Sequence, residues 1–212
     1  MSGYPVHLRS IPGEVIETSH YRVRYATDAA DLEAVQRLRY RVFNLELREG
    51  LDSAHQSGRD EDPFDACCHH LMVINRADET VIGTYRMQTR AMARDGLGFY
   101  ADTLFDLGPL SEALLSRAVE TGRACIAAEH RNGRVLFLLW HGLALYLKHN
   151  DLRYLFGCSS LTSQDPEEGL AVHAWLAANG YLHPELSLQP RPGHPCLIEE
   201  PSIRLHPPAK VP

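Results

Sequence analysis

One segment constrains this chain more than any other: an apolar stretch of helical length set between two short β-type runs. Residues 134–149 read as a long helix, preceded by the strand candidate Arg123-Ala124-Cys125-Ile126-Ala127 and the turn Glu129-His130-Arg131-Asn132-Gly133. Tyr154-Leu155-Phe156-Gly157-Cys158 follows as another strand. A strand, a helix and a second strand in that order form a crossover, which pairs the strands in parallel and covers the sheet with the helix. The remaining elements fit around this unit. Tyr21 to Tyr25 alternates as a strand. Capping residues at 27–31 open a helix from about 31 to 43, with Leu32, Val35, Leu38 and Val42 on one stripe. His70–Asn75 and Val81–Gln88 form a hairpin across the turn 76–79. Ser111–Val119 reads as a short helix, and Asp165-Pro166-Glu167-Glu168 opens a helix over 166–178 that Asn179-Gly180 ends. Further strands are expected near Cys196–Ile198 and Ser202–Leu205. The order predicts an α/β fold with a mixed central sheet flanked by helices. One domain is expected over 21–205, after a loose lead-in at 1–20 and before a tail at 206–212.

Composition narrows the classes of function. At 212 residues, 44% hydrophobic and 23% charged, the chain has the make-up of a globular domain with a sizeable core. The most apolar run, Val135–Leu147, is interrupted by His141 and is too short to span a bilayer, and the N-terminus lacks the pattern of a secretory signal. Five cysteines without a CxxC pair read as buried thiols in a reducing compartment. No His/Cys/Asp spacing matches a zinc site, so no metal is expected. A net charge of −6 argues against nucleic acid. Lysine occurs only at 148 and 210, so nineteen of the 21 basic residues are arginine, the side chain suited to rigid recognition of carboxylate and phosphate.

Several short clusters carry possible chemistry. The turn before the long helix presents backbone N–H groups and the positive end of the helix dipole, an anion site in principle, with Arg131, Gly133 and Arg134 at hand. The alternative is an ordinary turn with solvated arginines. Glu120 and Arg123 stand three apart, just before the expected central strand. They are either a surface ion pair or a partly buried carboxylate able to take a proton from an amine. Asp62 and Asp65 either cap their own loop, hold a cationic amine, or orient Arg39 and Arg86. Arg39 and Arg41 sit on the first helix near Phe43, as a solvated face or as part of a site.

Taken in order, these clusters resemble the acyl-homoserine-lactone synthases of the GNAT superfamily. Arg39 with Phe43, Asp62 with Asp65, Arg86 closing Gly83-Thr84-Tyr85-Arg86, and Glu120 with Arg123 match that family's pattern. An aromatic residue that the synthases carry after the phenylalanine is not matched; Glu49 falls near its place. The surrounding text, including Leu139-Trp140-His141-Gly142 and Phe156-Gly157-Cys158, is more similar to the ornithine N-acyltransferases. The resemblance covers about residues 21–205, and family members run on past this length with a further apolar stretch.

The resemblance implies a GNAT-type fold and transfer of a 3-hydroxyacyl or acyl chain from acyl carrier protein to the α-amine of an amino acid, ornithine first. It implies Glu120 as base or amine-orienting carboxylate with Arg123, and Arg39, Phe43, Asp62, Asp65 and Arg86 on the substrate side. Arg131, Gly133 and Arg134 would meet the donor's phosphopantetheine, and Phe43, Met87 and Trp140 are candidates for an acyl slot. The turn lacks the second glycine of coenzyme A-binding relatives, which fits the single phosphate of a carrier protein better than coenzyme A. No permanently bound cofactor is expected. The protein is expected in the cytoplasm, with peripheral contact to the inner membrane face. Open alternatives are another N-acyl amino acid or acyl-homoserine-lactone synthase, a coenzyme A-dependent acetyltransferase, and a non-catalytic module that binds acyl carrier or lipid.

Overall fold

A computed structural model of the chain describes residues 3–161, 163 and 165–193. The strands expected near 196–198 and 202–205 lie outside the described residues. The chain divides into two units, residues 1–100 with 112–157, and residues 101–111 with 158 onward.

The first unit is built on a six-stranded sheet in the order β1-β2-β3-β4-β5-β6. Its strands are β1 (Ile16–Glu17), β2 (Tyr21–Tyr25), β3 (His69–Asn75), β4 (Thr80–Thr89), β5 (Ala118–Ile126) and β6 (Tyr154–Phe156). All neighbours are antiparallel except β5 and β6, which are parallel as the crossover requires. The helices are α1 (Ala29–Arg39), α2 (Ala54–Ser57), α3 (Arg90–Asp95), α4 (Glu112–Leu115) and α5 (Gly133–His149).

Asp28 starts α1 by accepting the Asp31 N–H at 2.9 Å, in the capping segment expected from sequence. The helix does not stop at 43. From Tyr40 to Glu46 it continues as a π-helix, with the Leu47 N–H reaching the Val42 carbonyl at 2.9 Å. Such widened turns redirect the side chains beyond them. β5 begins at Ala118, five residues before its expected start, and the expected helix over 111–119 shrinks to α4. Pairing with β4, and with β6 over residues 118–120, overrides the weak strand propensity of this polar, glycine-containing run.

The sheet is covered on both faces. Leu71, Val73 and Met87 face Val135, Leu138, Leu139, Leu143 and Tyr146 of α5 in the main core. Met72, Ile74 and Val35 of α1 make a smaller cluster with Ala26. Among the described residues no helix is long and apolar enough to cross a membrane. Cys68 and Cys125 are core thiols, and burial pushes both thiol pKa values up, that of Cys125 to about 12.

The lead-in is not loose. β1 pairs with β2, the His149 ring is 3.0 Å from the Arg9 carbonyl, and Asn150 donates to Ser10 O at 2.9 Å. Buried His69 donates from Nε2 to the Val6 carbonyl at 2.7 Å and accepts at Nδ1 from the Tyr146 hydroxyl at 2.8 Å.

The second unit carries α6 (Pro166–Ala178), with the bounds expected. Asp165 caps it by accepting the Glu167 N–H at 2.9 Å. Trp175 and Tyr181 stack at 5.6 Å, and Phe105 bridges Pro190 while Arg191 pairs with Asp102 at 2.6 Å.

Burial lowers the pKa of His69 to about 4 and that of His70 to about 3. The unfolded chain, with histidines near ~6.5, therefore binds more protons than the folded one across this window. Stability is full above about pH 6.5 and falls as pH drops toward the folded values, by about 1.4 kcal/mol per pH unit for each histidine. Urea unfolding between pH 6.5 and 5 should show this slope, and His70→Gln should reduce it by about half. An unchanged slope in that variant would mean that His70 is not held neutral.

Candidate functional site

The site grows from the loop before β3. Asp62 folds that loop on itself by accepting the Phe64 N–H at 2.9 Å, which presents Asp60, Asp62 and Asp65 toward one face of the sheet. Three arginines from three different elements meet them. Arg39 of α1 donates Nε to Asp60 at 2.9 Å and both terminal nitrogens to Asp65 at 2.8 and 2.6 Å, and it also reaches the Asp60 carbonyl. Arg86 of β4 spans both Asp62 oxygens at 2.7 Å and reaches Asp65 at 3.0 Å. Arg123 of β5 donates to Asp60 at 2.8 Å. Gln36, one turn before Arg39, donates to Asp65 at 3.0 Å. Cations and anions alternate, three of each. Arg39 and Asp60 are both 0% exposed. Burial alone would raise the Asp65 pKa, but hydrogen bonds and charge from Arg39, with His70 and Arg86 behind, hold it well below the usual carboxylate range.

Arg123 reaches this network through a bulge. Between Thr84 and Arg86 the β4–β5 register slips, so that Arg123 and Ala124 together stand opposite Tyr85. Arg123 takes φ +50°, a left-handed conformation uncommon outside glycine and asparagine. The bulge turns its guanidinium toward Asp60 and lays it over the Phe43 ring at 5.3 Å.

Glu120 lies inside β5, not ahead of it, and is 7% exposed. One of its oxygens accepts the Tyr100 N–H at 2.8 Å. It stands opposite Gln88, while Gly122 stands opposite Arg86, so these four positions share one face. Arg86 stands over the paired rings of Phe64 and Tyr100, 5.7 and 5.8 Å from their centroids, which are 5.6 Å from each other. A side chain added at Gly122 would point into open space, which marks an opening beside Glu120 and Arg86. β6 accompanies β5 only over residues 118–120. At the parting, Gly157 lies so close to β5 that a Cβ there would sit 2.1 Å from the Thr121 carbonyl oxygen. Beyond it, 121–126 continue with no partner strand on that edge among the described residues.

The structure thus brings Arg39, Phe43, Asp62, Asp65, Arg86, Glu120 and Arg123 to one face of the sheet. Arg39 and Asp65 are enclosed, and their charges meet protein groups. Arg131, Gly133 and Arg134 stand at the start of α5, but the turn is partly occupied by its own chain. Asn132 accepts the N–H groups of Arg134 and Val135 at 3.1 Å, and Arg131 is engaged by Glu46 of the π-helix at 2.7 Å. Arg134 is exposed, with no ion-pair partner among the described residues. Of the acyl-slot candidates, Met87 is core and Trp140 is 51% exposed on the outer side of α5, leaving Phe43 beneath Arg123. Sequence reasoning missed Asp60, Gln36, Gln88 and Tyr100. Asp60 sits in the charged run Arg59-Asp60-Glu61-Asp62, which looks like a solvated loop.

Removing one partner from a buried ion pair strands the other charge, at a cost of about 3–5 kcal/mol. Asp60→Ala takes the hydrogen-bonded carboxylate from Arg123 and leaves the fully buried Arg39 with Asp65 alone, and a loss of that size is expected in urea unfolding. A loss below about 1 kcal/mol, the range of a surface pair, would contradict the closed network.

Comparison with known proteins places these features in a family. The acetyltransferase (GNAT) domain family matches residues 38–141. The L-ornithine N(alpha)-acyltransferase of Rhizobium meliloti (strain 1021) is 34% identical over 181 residues, covering 82% of this chain and 61% of that protein. Its counterpart in Rhodobacter capsulatus is 35% identical over 177 residues, covering 81% and 67%. Among solved structures, the AHL synthase LasI aligns with a TM-score of 0.48 at 20% identity, over 66% of this chain and 72% of that one. The chain spans 61% and 55% of the lengths of the Rhizobium and Brucella relatives. With a relative at 35% identity matched over 67% of its length, the chain belongs to the L-ornithine N(alpha)-acyltransferase family of the GNAT acyltransferases.

Proposed function

We propose that this chain is an N-acyltransferase that moves a 3-hydroxyacyl or acyl chain from acyl carrier protein to the α-amine of L-ornithine. The observation that carries the reading is Glu120: a buried carboxylate on the central strand, beside the opening at Gly122 and next to the parting of β5 and β6. An amino-acid amine is protonated near neutral pH and must lose a proton before it attacks a thioester. Glu120 takes that proton, held in place by the Tyr100 N–H. Arg86, fixed by Asp62 and two aromatic rings, supplies positive potential for the acceptor's carboxylate. Arg39 and Asp65 act through Arg86 by holding it in place. Backbone N–H groups along 121–126 polarise the thioester carbonyl, so transfer is direct and needs no acyl-enzyme.

On the donor side, Gly133 and Arg134 meet the phosphate of phosphopantetheine. With Asn132 already on two amides of the turn and Arg131 drawn to Glu46, the remaining groups suit one phosphate better than the larger phosphate load of coenzyme A. This reading puts the protein in the cytoplasm, where acyl carrier protein is found. The product is an amphiphile, and the exposed Leu136, Phe137 and Trp140 of α5, a helix that also carries the exposed Arg134 and Lys148, support a peripheral membrane contact.

Purified protein with 3-hydroxyacyl carrier protein and L-ornithine should release free thiol and form N-acylornithine. Release with homoserine or glycine instead would move the acceptor, and no release across the twenty amino acids and ornithine would sink the reading. Glu120→Gln should lower kcat by about 10²–10⁴-fold with an unchanged fold. Gly122→Val, filling the opening, should abolish turnover while the far-ultraviolet circular dichroism stays that of the parent.

A further inference from the structure

Gln88 stands directly across the β4–β5 ladder from Glu120. Facing residues of an antiparallel pair leave the same side of the sheet with Cβ atoms about 4.5–5.5 Å apart. Gln88 is 2% exposed, yet neither its Oε1 nor its Nε2 has a hydrogen-bond partner among the described residues. An unmet buried polar group costs about 1–3 kcal/mol, and nearly all such side-chain groups in native proteins are satisfied by protein or by water. The neighbouring groups do not relieve it. Arg86, two residues before, is directed at Asp62 and Asp65, and His70 Nε2 donates to the Asp65 carbonyl at 3.2 Å. An apolar side chain would fill this position without the cost, as Met87 and Met92 do in the adjacent core. The amide is retained beside the one carboxylate to which the proposed function assigns the proton.

Resting on that function, we propose that Gln88 is a positioning residue whose side-chain amide holds a water molecule against the Glu120 carboxylate, and that the acceptor's proton reaches Glu120 through this water. Enclosed waters of this kind bridge about three otherwise unmet polar groups. Here the partners are the amide oxygen, the amide N–H and the carboxylate. The ammonium gives one proton to the water as the water gives one to Glu120. The neutral nitrogen then bonds to the thioester carbon, and the C–S electron pair leaves on sulfur. The second N–H proton, lost as the amide forms, ends on that sulfur.

Gln88→Met, close to isosteric, tests this in the full chain with acyl carrier protein and the amine that the wild type accepts. The expected result is a kcat lower by on the order of 10- to 100-fold, at or below the lower end of what a general base contributes. Both KM values should stay within about twofold and the thermal midpoint should be equal or higher, because the buried amide and the water it holds are replaced together by apolar volume. Gln88→Leu should behave alike. In Glu120→Gln/Gln88→Met the losses should not multiply, since groups acting as one unit are non-additive. Wild-type kcat in Gln88→Met, a kcat loss matched by a fall in midpoint, or multiplicative losses in the double variant would each overturn the proposal. A wild-type protein that acylates no amine would overturn the enzymatic reading itself, a separate outcome.

Discussion

The fold and the candidate site share one dependence, the buried alternation of Arg39, Asp60, Asp65, Arg86 and Asp62, with Arg123 joined to Asp60. A buried ion pair contributes little net stability compared with well-packed apolar residues, because desolvation offsets much of the attraction. Its value here is placement. Three aspartates within six residues bind arginines from α1, β4 and β5, elements distant in sequence. Once the six charges are sealed together, none of those elements can slide without exposing an unpaired charge. Glu120 and the opening at Gly122 inherit that rigidity, since they share β5 with Arg123.

Much of the fold was legible wherever local chemistry decided it. α6 has its expected bounds because Asp165, Pro166 and Asn179 act within one turn of themselves. β2 has its expected bounds because five alternating residues leave no other reading. The failures share a cause, which is dependence on distant partners. The first half of β5 runs into Glu120-Thr121-Gly122-Arg123, and only pairing with β4, joined by β6 as far as Glu120, makes it a strand. The lead-in is held largely through the carbonyls of Val6, Arg9 and Ser10, groups that every sequence possesses and none advertises. Trp140 faces outward because Val135, Leu138, Leu139 and Leu143 set the phase of α5, a phase hidden in a helix apolar on nearly every side.

The site was legible through resemblance more than through residue chemistry. Taken singly, Asp62, Arg86 or Glu120 looks like surface charge. Asp60 escaped notice because its neighbours Arg59 and Glu61 are solvated charges of the ordinary sort, and nothing local distinguishes the one that turns inward. Gln88 escaped because a glutamine near a strand end carries no motif. Burial is what converts it from an unremarkable residue into an anomaly.

The approach of Gly157 to the Thr121 backbone has a mechanical meaning. Where two strands part, the apex of the wedge is usually soft, because side chains there can rotate aside. Here the apex is backbone against backbone at a position with no side chain to move, so it acts as a fulcrum. Any widening of the gap that opens between β5 and β6 has to occur at its mouth. Under the proposed function, a donor chain lying along the edge of β5 beyond Glu120 would be measured from a fixed zero, with its reactive end registered to Glu120 one residue away.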